Sequence, residues 1–164
     1  MDLFLENLSN PAYKEATQFL YNLQYSGIKL GLKNILAFMD HLGNPQKKLK
    51  TIHLAGTNGK GSTAAILESI LIKAGYTVGC YTSPHLISFQ ERIRIDRKLI
   101  NTEYINHFIN THKKVIADLN LTFFEATTGM AFQYFAEKNP DVIIVESGLG
   151  GRLDSTNIIE SPLS

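Results

Sequence analysis

Gly56-Thr57-Asn58-Gly59-Lys60-Gly61-Ser62-Thr63 is the densest run of chemistry-bearing residues in this chain. Glycines let backbone approach a ligand without Cβ clashes, and a loop that opens a helix aims N–H groups and the positive helix end at an anion. Lys60 can reach the β/γ-phosphate region of a bound nucleotide, and the Ser62 and Thr63 hydroxyls can contact phosphate or a phosphate-bound magnesium ion. The usual Walker spacing is absent, because position 54 is Leu, which speaks against a generic NTPase. The same glycines could also make no more than a tight strand-to-helix turn.

Two other positions share this placement. Ser83 follows the apolar segment that ends at Tyr81, and Glu146 closes the run Val142-Ile143-Ile144-Val145 just before Ser147-Gly148-Leu149-Gly150-Gly151-Arg152. In parallel α/β sheets ligands collect beyond the carboxyl ends of the strands. One hydroxyl, one carboxylate and phosphate oxygens form a reasonable magnesium set, since magnesium takes hard oxygen ligands and keeps several waters. Taken singly, Ser83 could be a turn residue before Pro84, and Glu146 a paired buried acid. His53 and His85 are read as structural, since neither has a second ligand at metal spacing.

The elements that must position these residues follow from periodicity. Apolar spacing predicts helices over Pro11 to about Tyr25, Leu32–Leu42, Ser62–Ala74, Thr102–Leu119 and Glu125–Lys138. In the third of these, Ile66, Leu67, Ile70 and Leu71 are assigned to one face, and Gly75 supplies the left-handed C-cap. Strands are predicted at Thr51–Ala55, Thr77–Tyr81 and Val142–Val145, with a small hairpin from Arg92-Ile93-Arg94-Ile95 to Leu99-Ile100. The first two strands and the helix between them read as a parallel βαβ unit with a right-handed crossover. The fold expected is a doubly wound, mostly parallel α/β sheet containing the phosphate loop.

With 164 residues, 44% hydrophobic, and a net charge of +1, the chain suits one domain and gives no electrostatic reason to expect nucleic acid or an anionic membrane. The lone Cys80 cannot form an internal disulfide, and the N-terminus has neither a signal-peptide pattern nor a spanning apolar run, so a cytoplasmic location is expected.

Gly-Thr-Asn-Gly-Lys-Gly-Ser at 56–62, Thr-Ser-Pro-His-Leu at 82–86, Phe-Gln-Glu-Arg-Ile at 89–93, Phe-Phe-Glu-Ala-Thr-Thr at 123–128 and Gly-Leu-Gly-Gly-Arg-Leu-Asp-Ser-Thr-Asn at 148–157 stand in this order. Together they resemble the folylpolyglutamate synthase/dihydrofolate synthase family of the Mur-ligase superfamily. The resemblance implies the central-domain fold of Mur ligases, ATP at residues 56–63, magnesium at Ser83 and Glu146, and catalytic roles for Lys60 and Glu146. It implies pterin or folate contacts from Lys29, Leu30 and Gly31, from Thr122, Phe123, Phe124 and Glu125, and from Leu153, Asp154 and Ser155. Phe123 and Phe124 could instead be core packing, and Arg152, Asp154 and Asn157 a self-satisfied loop network. One departure is Ser147, where the family usually has a small apolar residue.

The activity so implied is ATP-dependent ligation of L-glutamate to dihydropteroate or a folate through an acyl phosphate, in an enzyme that is monomeric at full length. The family's second-magnesium histidine, modified lysine and C-terminal glutamate-ligase domain have no match within residues 1–164, which read as a truncated N-terminal ATP-binding part with little or no ligase activity alone. The alternatives are another Mur-type amide ligase, or a non-catalytic nucleotide-binding remnant. Whether the substrate is dihydropteroate, a folate or both is not legible.

Overall fold

The structure is a computed structural model and describes residues 10–23 and 31–160. Helix α1 (Pro11–Asn22) starts where Asn10 accepts from the Ala12 and Tyr13 amides and Pro11 occupies a position that needs no amide donor. Helix α2 (Lys33–His41) follows, then a 3-10 turn at Pro45–Lys48. Strand β1 (Thr51–Leu54) leads through the glycine loop into helix α3 (Lys60–Lys73), and Gly75 at φ 91° closes that helix as its position predicts. Strand β2 (Val78–Tyr81) is followed by a 3-10 turn at Phe89–Arg92 and a hairpin of β3 (Ile93–Ile95) and β4 (Lys98–Leu99). Asp96 and Arg97 make its turn, both at positive φ. Helices α4 (Thr102–Asp118) and α5 (Phe123–Lys138) then lead to β5 (Val142–Glu146).

The five strands form one sheet in the order β1-β5-β2-β3-β4. β1, β5 and β2 are mutually parallel, whereas β3 pairs antiparallel with β2 and β4 antiparallel with β3. The expectation of a mostly parallel sheet is therefore corrected to a mixed one, because the hairpin extends the sheet. The β1-α3-β2 unit is parallel as expected, but β5 lies between its two strands. An apolar run with no polar alternation suits that central slot, where both faces are covered.

Side chains alternate across the sheet. Ile143 and Val145 face α1, α2, α4 and α5, while Ile144, Val78 and Cys80 form a smaller cluster with Ala64 of α3 on the opposite face. Gly79 permits the close approach of α5, since a Cβ there would lie 3.1 Å from the Phe135 ring. The predicted apolar face of α3 is corrected in part: Leu67 and Leu71 pack against the smaller cluster as expected, but Ile66 and Ile70 do not. Ile66 and Ile70 are 61% and 58% exposed, and the buried positions are Ala64 and Glu68. Glu68 is buried because Arg94 of β3 meets its carboxylate, with Nη2 2.9 Å from Oε2. Apolar and polar residues are spread around this helix without a one-sided stripe, so periodicity is a weak guide to which side faces the sheet.

Candidate active site

Three parallel strands end at one edge of the sheet, and the candidate residues gather there. β1 runs out at Leu54, and the chain turns through Gly56 (φ 154°) and Gly59 (φ 78°) before α3 begins. Gly59 is the N-cap and offers no side chain to the first amides of α3, and residues 55–59 are exposed. An uncapped helix start with exposed amides is suited to an anion. Lys60 folds back over this loop, its Nζ donating to the Gly56 carbonyl at 2.7 Å. Thr63 donates its hydroxyl to the Gly59 carbonyl at 2.9 Å and so braces the first turn. Thr57, Asn58, Gly61 and Ser62 are exposed.

Glu146 stands opposite this helix start. It is 4% exposed, pairs in register with Leu54, and its carboxylate oxygens lie 4.0 Å from where a Cβ on Gly61 would sit. A Cβ at 61 would therefore stand in ordinary contact with that carboxylate, which places the helix start beside Glu146. The backbone N–H of Ser83 donates to Glu146 Oε2 at 3.1 Å, so the ends of β2 and β5 meet here. Among the described residues no three His, Cys, Asp or Glu side chains converge on a common point. The donors are one carboxylate and one hydroxyl beside a phosphate-ready loop. That set fits a magnesium ion carried in on phosphate oxygens and water better than a metal caged by protein.

The glycine-rich stretch after β5 is tied down from within. Asp154 is 6% exposed; its Oδ2 accepts from the Gly148 and Leu149 amides at 2.9 and 2.8 Å, and its Oδ1 from the Thr156 amide and hydroxyl at 3.0 and 2.6 Å. These bonds match the self-satisfied network anticipated for Asp154, and Asn157 adds a bond to the Arg152 carbonyl at 3.0 Å. Because the Thr156 hydroxyl donates to Asp154, its oxygen must accept from His53 Nε2, 2.8 Å away. Burial holds the His53 pKa below its ordinary value, against the nearby Asp154. The chain Asp154–Thr156–His53 fastens the loop to β1. Leu153 is 47% exposed and Ser155 is buried.

Of the residues assigned to pterin or folate, Lys29 and Leu30 lie outside the described residues, and Gly31 is half-buried at φ 132°. Thr122 and Glu125 form a capping box at the start of α5. The Thr122 hydroxyl accepts from the Glu125 amide at 3.2 Å, and Glu125 Oε2 accepts from the Thr122 amide at 2.8 Å. Glu125, 2% exposed, thus serves the helix start. Phe124 stacks on Tyr81 at 6.0 Å and packs so closely on Gly148 that a Cβ there would lie 2.6 Å from its ring. Phe123 belongs to an aromatic group with Tyr21 and Phe89.

Arg92 has no role in the sequence reading, and His85 only a structural one. Arg92 Nε donates to His85 Nδ1 at 2.7 Å, and His85 Nε2 meets the Tyr21 hydroxyl at 3.3 Å. The available signal was the Phe89–Ile93 motif, which had no role attached to it.

No protein-family model matches the sequence. The chain is 43% identical over 160 residues to the Bacillus subtilis dihydrofolate synthase/folylpolyglutamate synthase, covering 93% of this chain and 37% of that protein. The crystal structure of folylpolyglutamate synthase from Thermotoga maritima superposes with a TM-score of 0.84 at 44% identity, over 92% of this chain and 36% of that one. Escherichia coli FolC in complex with DHPP and ADP gives a TM-score of 0.81 at 39% identity, over 93% and 37% of the two chains. The chain thus spans a little over a third of the length of the relatives it matches.

Proposed function

We propose, on the premise that this chain belongs to the folylpolyglutamate synthase/dihydrofolate synthase family, that it forms the ATP- and folate-facing part of a ligase joining L-glutamate to dihydropteroate or a folate. The observation that carries this reading is the convergence of Glu146, the Ser83 amide and Gly61 at one sheet edge, beside the uncapped start of α3. The E. coli relative, with DHPP and ADP bound, supports assigning both ligands to this fold.

In this reading, the amides from Gly59 to Ser62 and the α3 dipole hold the β- and γ-phosphates, and Lys60 exchanges its bond to the Gly56 carbonyl for phosphate oxygens. Ser83 and Glu146 would hold magnesium, which when bound offsets charge on the transferring phosphoryl group. The chain's own contribution is positional and electrostatic. It aligns a substrate carboxylate with the γ-phosphate, and no protein nucleophile is needed. The carboxylate oxygen takes the γ-phosphoryl group from ATP, releasing ADP, to give an acyl phosphate; the glutamate amine then displaces phosphate and loses a proton to form the amide. Phe124, Leu153 and Ser155 flank the folate side, while Glu125 and Asp154 shape it by holding the α5 start and the 148–157 loop. In this reading residues 1–164 supply the nucleotide half.

Titration calorimetry of this chain with ATP and magnesium tests the reading. Lys60→Ala is expected to weaken ATP at least about tenfold, and Glu146→Gln to remove the dependence of ATP affinity on magnesium. ATP binding indifferent to both substitutions would refute the site. Assay with ATP, dihydropteroate and glutamate is expected to give little turnover from this chain alone.

A further inference from the structure

Arg92 carries a buried charge that no carboxylate answers among the described residues. The residue is 7% exposed, and among the described residues its side chain makes one hydrogen bond, from Nε to His85 Nδ1 at 2.7 Å. Its guanidinium carbon lies over the Phe123 ring, 4.9 Å from the centroid. Neighbouring Glu91 turns away, its carboxylate accepting from the Leu86, Ile87 and Ser88 amides. Since Arg92 only donates, His85 Nδ1 must be the bare nitrogen, which puts the ring proton on Nε2 facing the Tyr21 oxygen. His85 therefore orients the arginine without neutralising it. Burying an unmatched cation is costly, and an arginine stays protonated at any physiological pH.

The surroundings indicate what the two free Nη groups receive. Tyr21 stacks on Phe123 at 5.8 Å, Phe89 meets the same ring edge-on at 6.0 Å, and among the described residues no Lys or other Arg charge bears on Arg92. A phosphate prefers several donors and a helix start, which α3 offers elsewhere. A planar carboxylate on an aromatic body instead matches a guanidinium fork lying on apolar rings. We infer that Arg92, held by His85 over Phe123, binds the carboxylate of an aryl-acid substrate at the edge between β2 and the start of α5. The inference deepens the folate reading above and rests on it.

The test follows the Arg92 Nε–H resonance of the 15N-labelled chain during titration with 4-aminobenzoate, its neutral analogue 4-aminobenzamide, pteroate, and inorganic phosphate. The acid and pteroate are expected to shift that resonance, with the amide at least about tenfold weaker. Arg92→Met is expected to lower affinity for the acid to that for the amide while leaving the amide unchanged, and Arg92→Lys to restore part of the preference. Equal binding of acid and amide, an equal loss of both in Arg92→Met, or phosphate competing as well as the acid would overturn the inference. If Arg92→Met fails to fold, the wild-type titration decides alone. Pteroate binding that leaves Arg92 unmoved sinks this inference but not the proposed function. An acid-specific shift at Arg92 in a chain whose 59–62 amides ignore ATP does the reverse.

Discussion

Asp154 commits both carboxylate oxygens to backbone and side-chain donors of its own loop. Asp154→Ala strands the buried Thr156 amide and hydroxyl and releases the Gly148–Leu149 turn, so a loss of about 2–3 kcal/mol is expected in urea denaturation. An unchanged midpoint would mean that the loop is held by other contacts. The histidines give a pH dependence with a definite sign. Burial lowers the pKa of His53, and burial together with His41 and His107 lowers that of His112. The unfolded chain therefore takes up protons near about pH 6.5, before the folded chain does. The stability these groups contribute is fully present above that pH and is lost as pH falls through their folded-state values. Thermal midpoints measured from pH 7.5 to 5.5 should decline with acid, and His112→Asn should flatten the slope; a midpoint that rises with acid contradicts the assignment.

At the level of elements, α3 is joined to the sheet by one ion pair as much as by apolar contact. Arg94 Nε lies 3.1 Å from each Glu68 oxygen, and Arg94 also reaches the Thr82 hydroxyl at 3.0 Å and Cys80 Sγ at 3.0 Å. This arrangement ties the phosphate-loop helix to β2 and β3. Removing one partner leaves the other charge without compensation in a largely dry site, which costs more than removing both. Glu68→Leu alone is expected to destabilise by about 3 kcal/mol, and Glu68→Leu with Arg94→Met by clearly less. Urea midpoints of the two variants and a double-mutant cycle measure the difference, and simple additivity would rule out this role for the pair.

Over the molecule as a whole, exposed apolar side chains concentrate in two places among the described residues, with Leu36 of α2 apart from both. Ile66, Ile70 and Tyr76 are 61%, 58% and 51% exposed on and beside α3, and Leu86, Ile87 and Leu149 are 90%, 75% and 63% exposed on the loops beyond β2 and β5. Such surface favours association when nothing covers it. Sedimentation velocity is expected to show concentration-dependent self-association of this chain, reduced in Ile66→Lys with Ile70→Lys. Both positions point outward, so thermal stability should hold in that variant; association unaffected by it would place the contact elsewhere. Among the described residues no helix is long and apolar enough to cross a membrane.

The order of helices and strands and the glycine loop at a strand-to-helix junction were legible in the residues, as was the placement of Glu146 and Ser83 beyond two strand ends. Each depends on local signals: the period of apolar residues, glycine and proline as punctuation, and a motif a few residues long. Two helices still begin two residues earlier than periodicity placed them, at Lys60 and Phe123, because an N-terminal turn is set by backbone capping and not by burial. Tertiary structure alone decided that β5 enters between β1 and β2, and that the hairpin joins the sheet antiparallel. It also turned Ile66 and Ile70 outward while burying Glu68, and it enclosed Arg92 against Phe123 with His85 as its side-chain hydrogen-bond partner among the described residues. These outcomes depend on partners far away in the chain, and a charge is buried or an isoleucine exposed according to what packs against it, which no local pattern records.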